Sequence, residues 1–378
     1  MAAAFERSYI QVINTITRAV RRDNVEFNGV GQILKGAMTS AADSRTNITL
    51  RLAILAGVLL AGFLTSVCIG DVFIEPIKAL TLLTGGSTNS ATAPGIADIL
   101  TQIRLPRTLI ATTVGAALAV SGYILQALSR NPLADPYLTG VSSGAGLAVA
   151  IAIIIGVDFN LMPVSAFAGG LLAALLVAQM ARRAGGLSVT RLILAGVAIS
   201  AVCGSLITLL ITQSGSASQS QGIIFWLAGG IAGRGWNDLT TLLIYTVGGI
   251  IATLFLSKQI RVLSLGDETA QALGVDVSRL QWLLLAAAVL MCGAAVAASG
   301  LVAFVGLIAP NLARLLFVRD ERVEIVASAL IGAVLVMLSD MAARTLGQGQ
   351  ELPLGTLLSL AGGPFFLYLI STSKGQEV

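Results

Sequence analysis

Long runs of uncharged, mostly apolar residues alternate with short polar segments along most of the chain. A helix needs about 20 residues to cross the hydrocarbon core of a bilayer, and each run holds one or two such lengths. The charge-free runs are 52–70, 108–129, 137–157, 159–181, 192–233, 239–257, 280–313 and 352–373. This pattern predicts a membrane protein built from helices.

Two of these runs exceed one span, and a more polar stretch adds another. The run 280–313 predicts two helices that break near Ser299-Gly300. The run 192–233 predicts one span, then a polar patch, then a segment too short to span that is either interfacial or re-entrant. The stretch 323–345 adds a span. The predicted fold is an all-α polytopic membrane protein with about ten transmembrane helices.

The polar stretch 258–279 separates two apolar runs and must lie outside the lipid, because it concentrates charge. Its six charged residues are Lys258, Arg261, Asp267, Glu268, Asp276 and Arg279. Asp267 is a good helix N-cap, Glu268 suits the first turn, and Gly274 is a good stop. A second short turn can start at Asp276. The order predicts a rigid protrusion, with an ordinary solvated loop as the alternative.

A short repeat relates the two halves of the chain. GAALAVSG at 115–122 recurs as GAAVAASG at 293–300. The predicted helices carry the two copies across the membrane in opposite directions, which is common in transporters. We therefore predict a pseudo-symmetric inverted repeat, although helices rich in Gly and Ala can also match by chance.

Residues 1–47 form a basic extension before the first apolar run, and residues 48–378 form the predicted transmembrane domain. One helical face of the extension is apolar, at Phe5, Tyr9, Val12, Ile13, Ile16 and Val20. The other face is basic, at Arg7, Arg18, Arg21 and Arg22. The pattern is typical of an amphipathic helix lying on an anionic membrane surface, with a disordered basic tail as the alternative.

The composition agrees with a membrane protein and narrows its chemistry. Hydrophobic residues make up 56% of the chain, charged residues only 11%, and histidine is absent. The usual general base and metal ligand are therefore missing, which disfavours an enzyme. Cys68, Cys203 and Cys292 each lie in an apolar run and are predicted core residues, not a disulfide or metal framework. We predict no catalytic residue, cofactor, metal site or nucleic-acid partner.

The positive charges favour one orientation, because cytoplasmic segments of membrane proteins are rich in Lys and Arg. With both termini inside, only five of the 23 Lys and Arg residues lie outside: Lys78, Arg104, Arg107, Arg234 and Arg344. This asymmetry places both termini and the stretch 258–279 in the cytoplasm.

The predicted spans contain few ionisable residues. Asp340 is the main exception, and Arg344 lies one helical turn later at a spacing that favours an ion pair. Transporters that use ion gradients generally need ionisable groups within the membrane, so we expect the driving energy to come from elsewhere. The chain lacks a GxxxxGK[ST] phosphate-binding loop and is not expected to hydrolyse a nucleotide itself. We therefore expect a cytoplasmic partner that acts on 258–279 to supply the driving energy.

Two of the outside arginines lie directly before a span. Arg104 and Arg107 flank Leu105-Pro106. Arginine on the outer face opposes the positive-inside tendency and suits pairing with carboxylates. The alternative is anchoring to lipid headgroups.

Several motifs follow one another from about residue 50 to the C-terminus. They are RLPR at 104–107, SGYILQALSRNPLADPYLTGVSSGAG at 121–146, LILAGVAIS at 192–200, LGDETAQALGV at 265–275, GLVAFVGLIAPNLAR at 300–314, SDMAAR at 339–344 and ELPLG at 351–355. In their order and spacing the chain resembles the FecCD-type permease subunits of type II ABC importers. Those importers move iron-siderophore complexes, haem and vitamin B12.

The resemblance implies an assembly in the inner (plasma) membrane of a prokaryote. It implies ten helices per permease, a second permease subunit in a homo- or heterodimer, and two cytoplasmic ATPase subunits. A substrate-binding protein is expected to dock on the outer face. Membrane lipid surrounds the permeases.

The resemblance also implies roles for individual residues. The segment 265–279 forms coupling helices in the ATPase cleft, with candidate contacts at Leu265, Gly266, Asp267, Glu268, Ala270, Leu273, Gly274 and Val275. Ala270 is a small helical position that can face the ATPase. Arg104, Arg107 and Arg344 face acidic residues of the binding protein. The translocation path follows the helix at 190–212, with Ser200, Ser205 and Thr208 as candidate lining residues.

The chain departs from the family pattern at two places. The family usually has Pro-His where this chain has Pro310-Asn311, and asparagine can form hydrogen bonds but cannot titrate. The basic N-terminal extension is longer than usual.

We therefore predict the transmembrane permease subunit of an ATP-driven importer, a non-enzyme that takes up an iron(III)-siderophore complex. A vitamin B12 or haem importer of the same family is one alternative. An ion-coupled secondary transporter, favoured only by the inverted repeat, is the alternative from another class. An intramembrane enzyme is disfavoured because the chain lacks histidine and paired carboxylates at membrane depth.

Overall fold

Helices make up almost all of the structure. It is a computed structural model that describes residues 27–70, 73–83, 94–183, 186–317, 320–347 and 351–373. The first eight helices are α1 Phe27–Cys68, α2 Pro76–Leu83, α3 Pro94–Asp98, α4 Leu105–Ser129, α5 Val141–Ile154, α6 Met162–Ala181, α7 Val189–Gln213 and α8 Ala217–Ala228. The others are α9 Trp236–Phe255, α10 Ser257–Ser264, α11 Asp267–Ala272, α12 Val277–Ser299, α13 Val305–Leu316, α14 Glu321–Leu346 and α15 Leu354–Ser373.

Short irregular elements join these helices. A π-helical segment, Ile99–Arg104, leads into α4, and 3-10 turns occupy Pro136–Thr139 and Phe159–Leu161. The strands β1 Arg182–Arg183 and β2 Gly186–Leu187 pair antiparallel, with Arg182 opposite Leu187. This two-residue hairpin between α6 and α7 is a small addition to the predicted all-α fold.

The described residues confirm a helical membrane fold. Seven helices are long and apolar enough to cross a membrane: Ile48–Cys68, Gly95–Ser129, Phe159–Ala181, Val189–Gln213, Trp236–Phe255, Val277–Ser299 and Glu321–Leu346. The other predicted spans contain shorter apolar helices, Val141–Ile154, Val305–Leu316 and Leu354–Phe366. Each predicted span therefore corresponds to an apolar helix, but the helices Val141–Ile154 and Val305–Leu316, with 14 and 12 residues, are shorter than a full crossing.

Several predicted boundaries shift in the structure. The first helix already begins at Phe27, inside the predicted extension, whereas residues 1–26 and the proposed amphipathic face lie outside the described residues. The run 280–313 does break after Ser299, where Gly300 has φ +66°. The polar patch at 212–222 is not a loop throughout, because most of it forms the first turns of α8.

Helix α4 lies at the centre of the fold and packs against α9, α12, α13 and α14. Its backbone approaches α14 very closely at Gly115 and Gly332. A Cβ atom added to Gly115 would lie 2.1 Å from the Gly332 carbonyl oxygen, and one added to Gly332 would lie 2.3 Å from the Gly115 oxygen. Because only glycine fits on both sides, the two helices cross with their backbones in contact.

The helices that carry the two repeat copies, α4 and α12, run antiparallel. Asp267 contacts both Arg130, just after α4, and Gln281, near the start of α12. Near the opposite end, Arg234 Nε donates to the Ala298 carbonyl in α12, and Trp236 Nε1 donates to the Thr101 carbonyl shortly before α4. Midway, the Ser121 hydroxyl donates to the Ala288 carbonyl at 3.0 Å. The molecule thus has two polar ends: the arginine end, with Arg104, and the loop end, with residues 258–279.

Candidate functional site

The loop end contains one more helix than the sequence predicted. Helix α10 lies between α9 and the predicted protrusion, and its buried Ile260 and Leu263 pack it onto the body of the molecule. The Arg261 guanidinium pairs with the Glu321 carboxylate, and this hydrogen bond raises the pKa of Arg261, so the group stays charged. The Arg322 Nε atom donates to the Ser257 hydroxyl at 3.3 Å. Helix α10 is therefore held in place on the body of the molecule, directly before α11.

Helix α11 has a defined stop at Gly274. The Gly274 N–H bonds to the Gln271 carbonyl at 2.9 Å, and the Val275 N–H bonds to the Ala270 carbonyl at 3.0 Å. These two bonds form a Schellman motif, which requires a left-handed residue at the first position after the cap. Gly274 supplies it with φ +83°. The predicted glycine stop is confirmed.

The helix starts differ from the prediction. Gly266 is the N-cap of α11, while Asp267 is the first helical residue and pairs with Arg130. Asp276 does cap a helix, because its Oδ1 atom accepts a hydrogen bond from the Arg279 N–H at 3.0 Å. The turn that begins there is not separate but is the first turn of α12.

The side chains of the protrusion divide into buried and exposed sets. Leu265 and Leu273 are 62% and 63% exposed, and Glu268 is exposed beside them. We expected Ala270 to face a partner, but the structure buries it completely within this chain, so it supports α11 from inside. Val275 is half-buried. The two leucines thus present apolar surface within a charged segment, which is typical of an interaction site.

At the arginine end, Asp340 lies between two arginines. Its carboxylate is 1% exposed. Its Oδ1 atom accepts from Arg107 Nη2 at 2.8 Å, and its Oδ2 atom lies 3.1 Å from Arg344 Nε. The predicted pair of Asp340 and Arg344 is therefore confirmed and extended to a third residue. Each of the two carboxylate oxygens thus has a guanidinium partner.

The same arginines also hold neighbouring segments. Arg107 Nη1 lies 2.6 Å from Glu351 Oε1, on the stretch before α15. Arg104 Nη1 donates to the carbonyls of Val67 and Cys68 at the C-terminus of α1, at 3.1 and 3.0 Å. Helix C-termini leave such carbonyls without intrahelical partners and attract positive charge.

The structure thus places all three predicted arginines together but turns them inward. Arg104 and Arg107 are buried, and the Arg344 side chain is only 8% exposed. Arg107 and Arg344 contact carboxylates of this chain, whereas Arg104 donates to backbone carbonyls. Sequence reasoning missed Glu351 and the carbonyls of α1, because both lie far from the arginines along the chain.

The candidate path residues lie on α7. Ser200 and Ser143 approach to 3.1 Å through their hydroxyl oxygens. Ser205 and Thr208 are exposed, and their hydroxyls donate to carbonyls one turn earlier in the same helix, at Ala201 and Gly204. These two residues share α7 with exposed apolar side chains, Leu194, Val197, Val202, Leu206 and Leu209.

Two further predictions concern cysteine and the Pro-Asn pair. Cys68, Cys203 and Cys292 are buried and unbonded to one another, which confirms them as core residues. No group of three or more His, Cys, Asp or Glu residues in the described part of the chain is arranged to hold a metal ion.

The Asn311 amide donates to the Pro132 and Leu307 carbonyls at 2.9 and 2.8 Å. It therefore ties α13 to the segment after α4.

Known proteins share this fold and sequence. The profile of the FecCD transport family matches residues 58–372. The hemin transport system permease protein HmuU of Yersinia pestis is 40% identical over 297 residues, which cover 76% of this chain and 88% of HmuU. The Fe(3+) dicitrate transport system permease protein FecC of Escherichia coli K12 is 36% identical over 327 residues, or 84% and 95% of the two chains.

A solved structure also matches. It is an inward-facing conformation of a transporter assigned to the metal-chelate type of ABC transporter. The match has a TM-score of 0.76 and 30% identity and covers 86% of this chain and 99% of that one.

The ion cluster at the arginine end predicts a stability effect. Asp340→Asn removes the negative charge between two buried arginines, and breaking a buried pair costs about 3–5 kcal/mol. We expect a marked fall in the melting temperature of the detergent-solubilised protein. Glu75→Gln is the control, because it removes an exposed pair with Lys78 and should change stability by about 1 kcal/mol or less. Equal melting temperatures for the two variants would contradict the role of the cluster.

Proposed function

The chain belongs to the FecCD transport family and is the permease of an ABC importer, and we propose that it takes up an iron(III)-siderophore complex delivered by a binding protein. The name of one relative, a ferric dicitrate permease, supports an iron(III) chelate as cargo, whereas the name of the other, a hemin permease, fits haem. Vitamin B12 or haem is the alternative cargo.

One observation carries the proposed coupling to ATP hydrolysis. Leu265 and Leu273 expose most of their surface at the loop end, which the distribution of Lys and Arg favours as cytoplasmic. Because the chain itself lacks a phosphate-binding loop, we propose that these leucines and Glu268 insert into the cleft of a separate ATPase subunit. Gly266, Asp267, Ala270, Gly274 and Val275 would then shape and hold the helix that presents them.

The arginine end is the proposed docking site of the binding protein. Arg104 and Arg344 hold the C-terminal end of α1. Arg107 is the best candidate for a direct contact, because one of its partners, Glu351, has a side chain that is 42% exposed. We propose that a carboxylate of the binding protein competes with Glu351 for Arg107.

A second permease subunit, identical or different, is proposed to cover the exposed face of α7. That face combines apolar side chains with the hydroxyls of Ser205 and Thr208, next to Ser200. A pathway between two subunits would use such weakly polar surface. In this arrangement the protein spans the inner membrane of a prokaryote several times, with both termini in the cytoplasm, and residues 1–26 remain the predicted surface helix.

The ion-coupled alternative is less well supported. Its best candidate, Asp340, is buried and already contacts Arg107 and Arg344, so its oxygens are not available to a transported ion. An external source of energy fits this arrangement better.

The cargo can be tested by purifying the assembly from native membranes with its partners. We expect iron in the elemental analysis, in an iron(III)-chelate without haem absorbance. Cobalt without iron would identify vitamin B12, and a haem spectrum would identify haem, so either result would overturn the siderophore assignment.

The exposed leucines predict a contact with the ATPase. Leu273→Arg should abolish or strongly weaken capture of the ATPase subunits, because it places a charge in an apolar contact. Leu346→Arg is the matched control, because Leu346 is 64% exposed at the opposite end. Capture is measured by pull-down after confirming membrane insertion. Equal capture by both variants would mean that residues 265–279 form an ordinary loop.

The proposed competition for Arg107, between Glu351 and a carboxylate of the binding protein, predicts tighter docking when Glu351 loses its charge. Glu351→Gln should tighten binding of the binding protein about two- to fivefold, because it removes the internal competitor for Arg107. The gain should shrink as salt screens the contact. Glu75→Gln removes an exposed negative charge outside the cluster and serves as the control. An affinity that is unchanged in Glu351→Gln, or raised equally in both variants, would contradict docking through Arg107.

A further inference from the structure

Helix α4 ends at the loop end in an unusual way. Its final turn closes with hydrogen bonds from the Arg130 N–H to the Ala127 carbonyl and from the Asn131 N–H to the Gln126 carbonyl. This is the same motif that stops α11, but the left-handed position belongs to an arginine, with φ 50° and ψ 30°. Only one other non-glycine residue in the described ranges, Phe304, has positive φ.

A residue with a Cβ atom adopts this left-handed backbone conformation less readily than glycine does. The conformation persists only where surrounding contacts hold it. Contacts of the Arg130 side chain are therefore expected to stabilise this turn.

The Arg130 side chain bridges the turn between α10 and α11. Its Nε atom donates to the carbonyl of Leu263, in the last turn of α10, at 3.2 Å. Its Nη2 atom pairs with the carboxylate of Asp267, the first residue of α11. Between these contacts lies Gly266, with φ +119°. One guanidinium thus joins both sides of the turn.

Besides the bridge, α11 is held by the buried Ala270 and by a hydrogen bond from the Gly266 N–H to the Leu263 carbonyl at 3.1 Å. Glycine permits many backbone conformations, and apart from the two residues next to Gly266 in the chain no atom lies closer than 3.8 Å to a Cβ added there. Asp267 has a second neighbour, the Gln281 side-chain amide at 3.5 Å, and the same Gln281 accepts from the Leu187 N–H at 2.9 Å. The bridge therefore also reaches the start of α12 and the hairpin between α6 and α7.

We propose that Arg130 is a positioning residue that sets the angle of α11 relative to α4 and thereby presents Leu273 to the ATPase. The proposal rests on the proposed function of α11. It adds a mechanical link: Arg107 lies near the start of α4 and Arg130 directly follows its end, so a shift of α4 on docking moves α11 through the Arg130 side chain.

The first test needs no partner. Arg130→Gly removes the bridge and relieves the left-handed backbone, so the variant should fold normally. Hydrogen exchange should become about fivefold faster or more at the α11 amides, such as Ala270, while the other helices keep their protection. Arg279→Gln, an exposed arginine at the same end, is the matched control and should leave exchange unchanged. Unchanged protection of α11 in Arg130→Gly would overturn the bridge.

The second test uses the reconstituted importer with its ATPase and binding protein. Arg130→Gln and Asp267→Asn should each raise the ATP hydrolysed per substrate transported about fivefold or more. The double variant should be no worse than either single one, because both remove the same contact. Wild-type ratios in both single variants, or additive effects in the double variant, would overturn the positioning role. If the wild-type chain captures no ATPase, the proposed function fails, whereas the exchange experiment still decides the bridge.

Discussion

The close contact between the backbones of α4 and α14 is the constraint on which the rest of the structure depends. Gly115 and Gly332 let the two helices touch without side chains between them. In lipid, helices gain little from the hydrophobic effect when they associate, so packing of this kind must supply much of the stability. Because α14 carries Asp340 and α4 carries Arg107, the same contact brings the two charges together, and the rest of the ion cluster assembles around them.

Charge in this molecule is arranged to be satisfied within the chain. Arg104, Arg107 and Arg344 use the carbonyls of α1 and the carboxylates of Asp340 and Glu351. Burial of an unpaired charge is costly, so these contacts are needed before any partner arrives. Docking through such residues is then an exchange of partners, not the capture of free cations.

Much of the fold could be predicted from the sequence, since apolar periodicity and charge decide which segments enter the membrane. The break after Ser299, the stop at Gly274 and the pair of Asp340 and Arg344 all follow from local spacing. The inward direction of Ala270, the N-cap at Gly266 and the partners of Arg107 do not. They depend on which distant segments pack together, and Glu351 is 244 positions from Arg107. The contacts of Arg130 could not be predicted for the same reason, because its partners Leu263 and Asp267 lie more than 130 positions away along the chain.

The ion cluster at the arginine end also bears on how fast a partner is found. Three arginines face two carboxylates there, so the group carries one net positive charge instead of three. Its field falls off quickly and offers little attraction to an acidic protein at a distance. The encounter rate would then be set mainly by diffusion and the chance of correct orientation, and specificity would be decided only after the two surfaces have met.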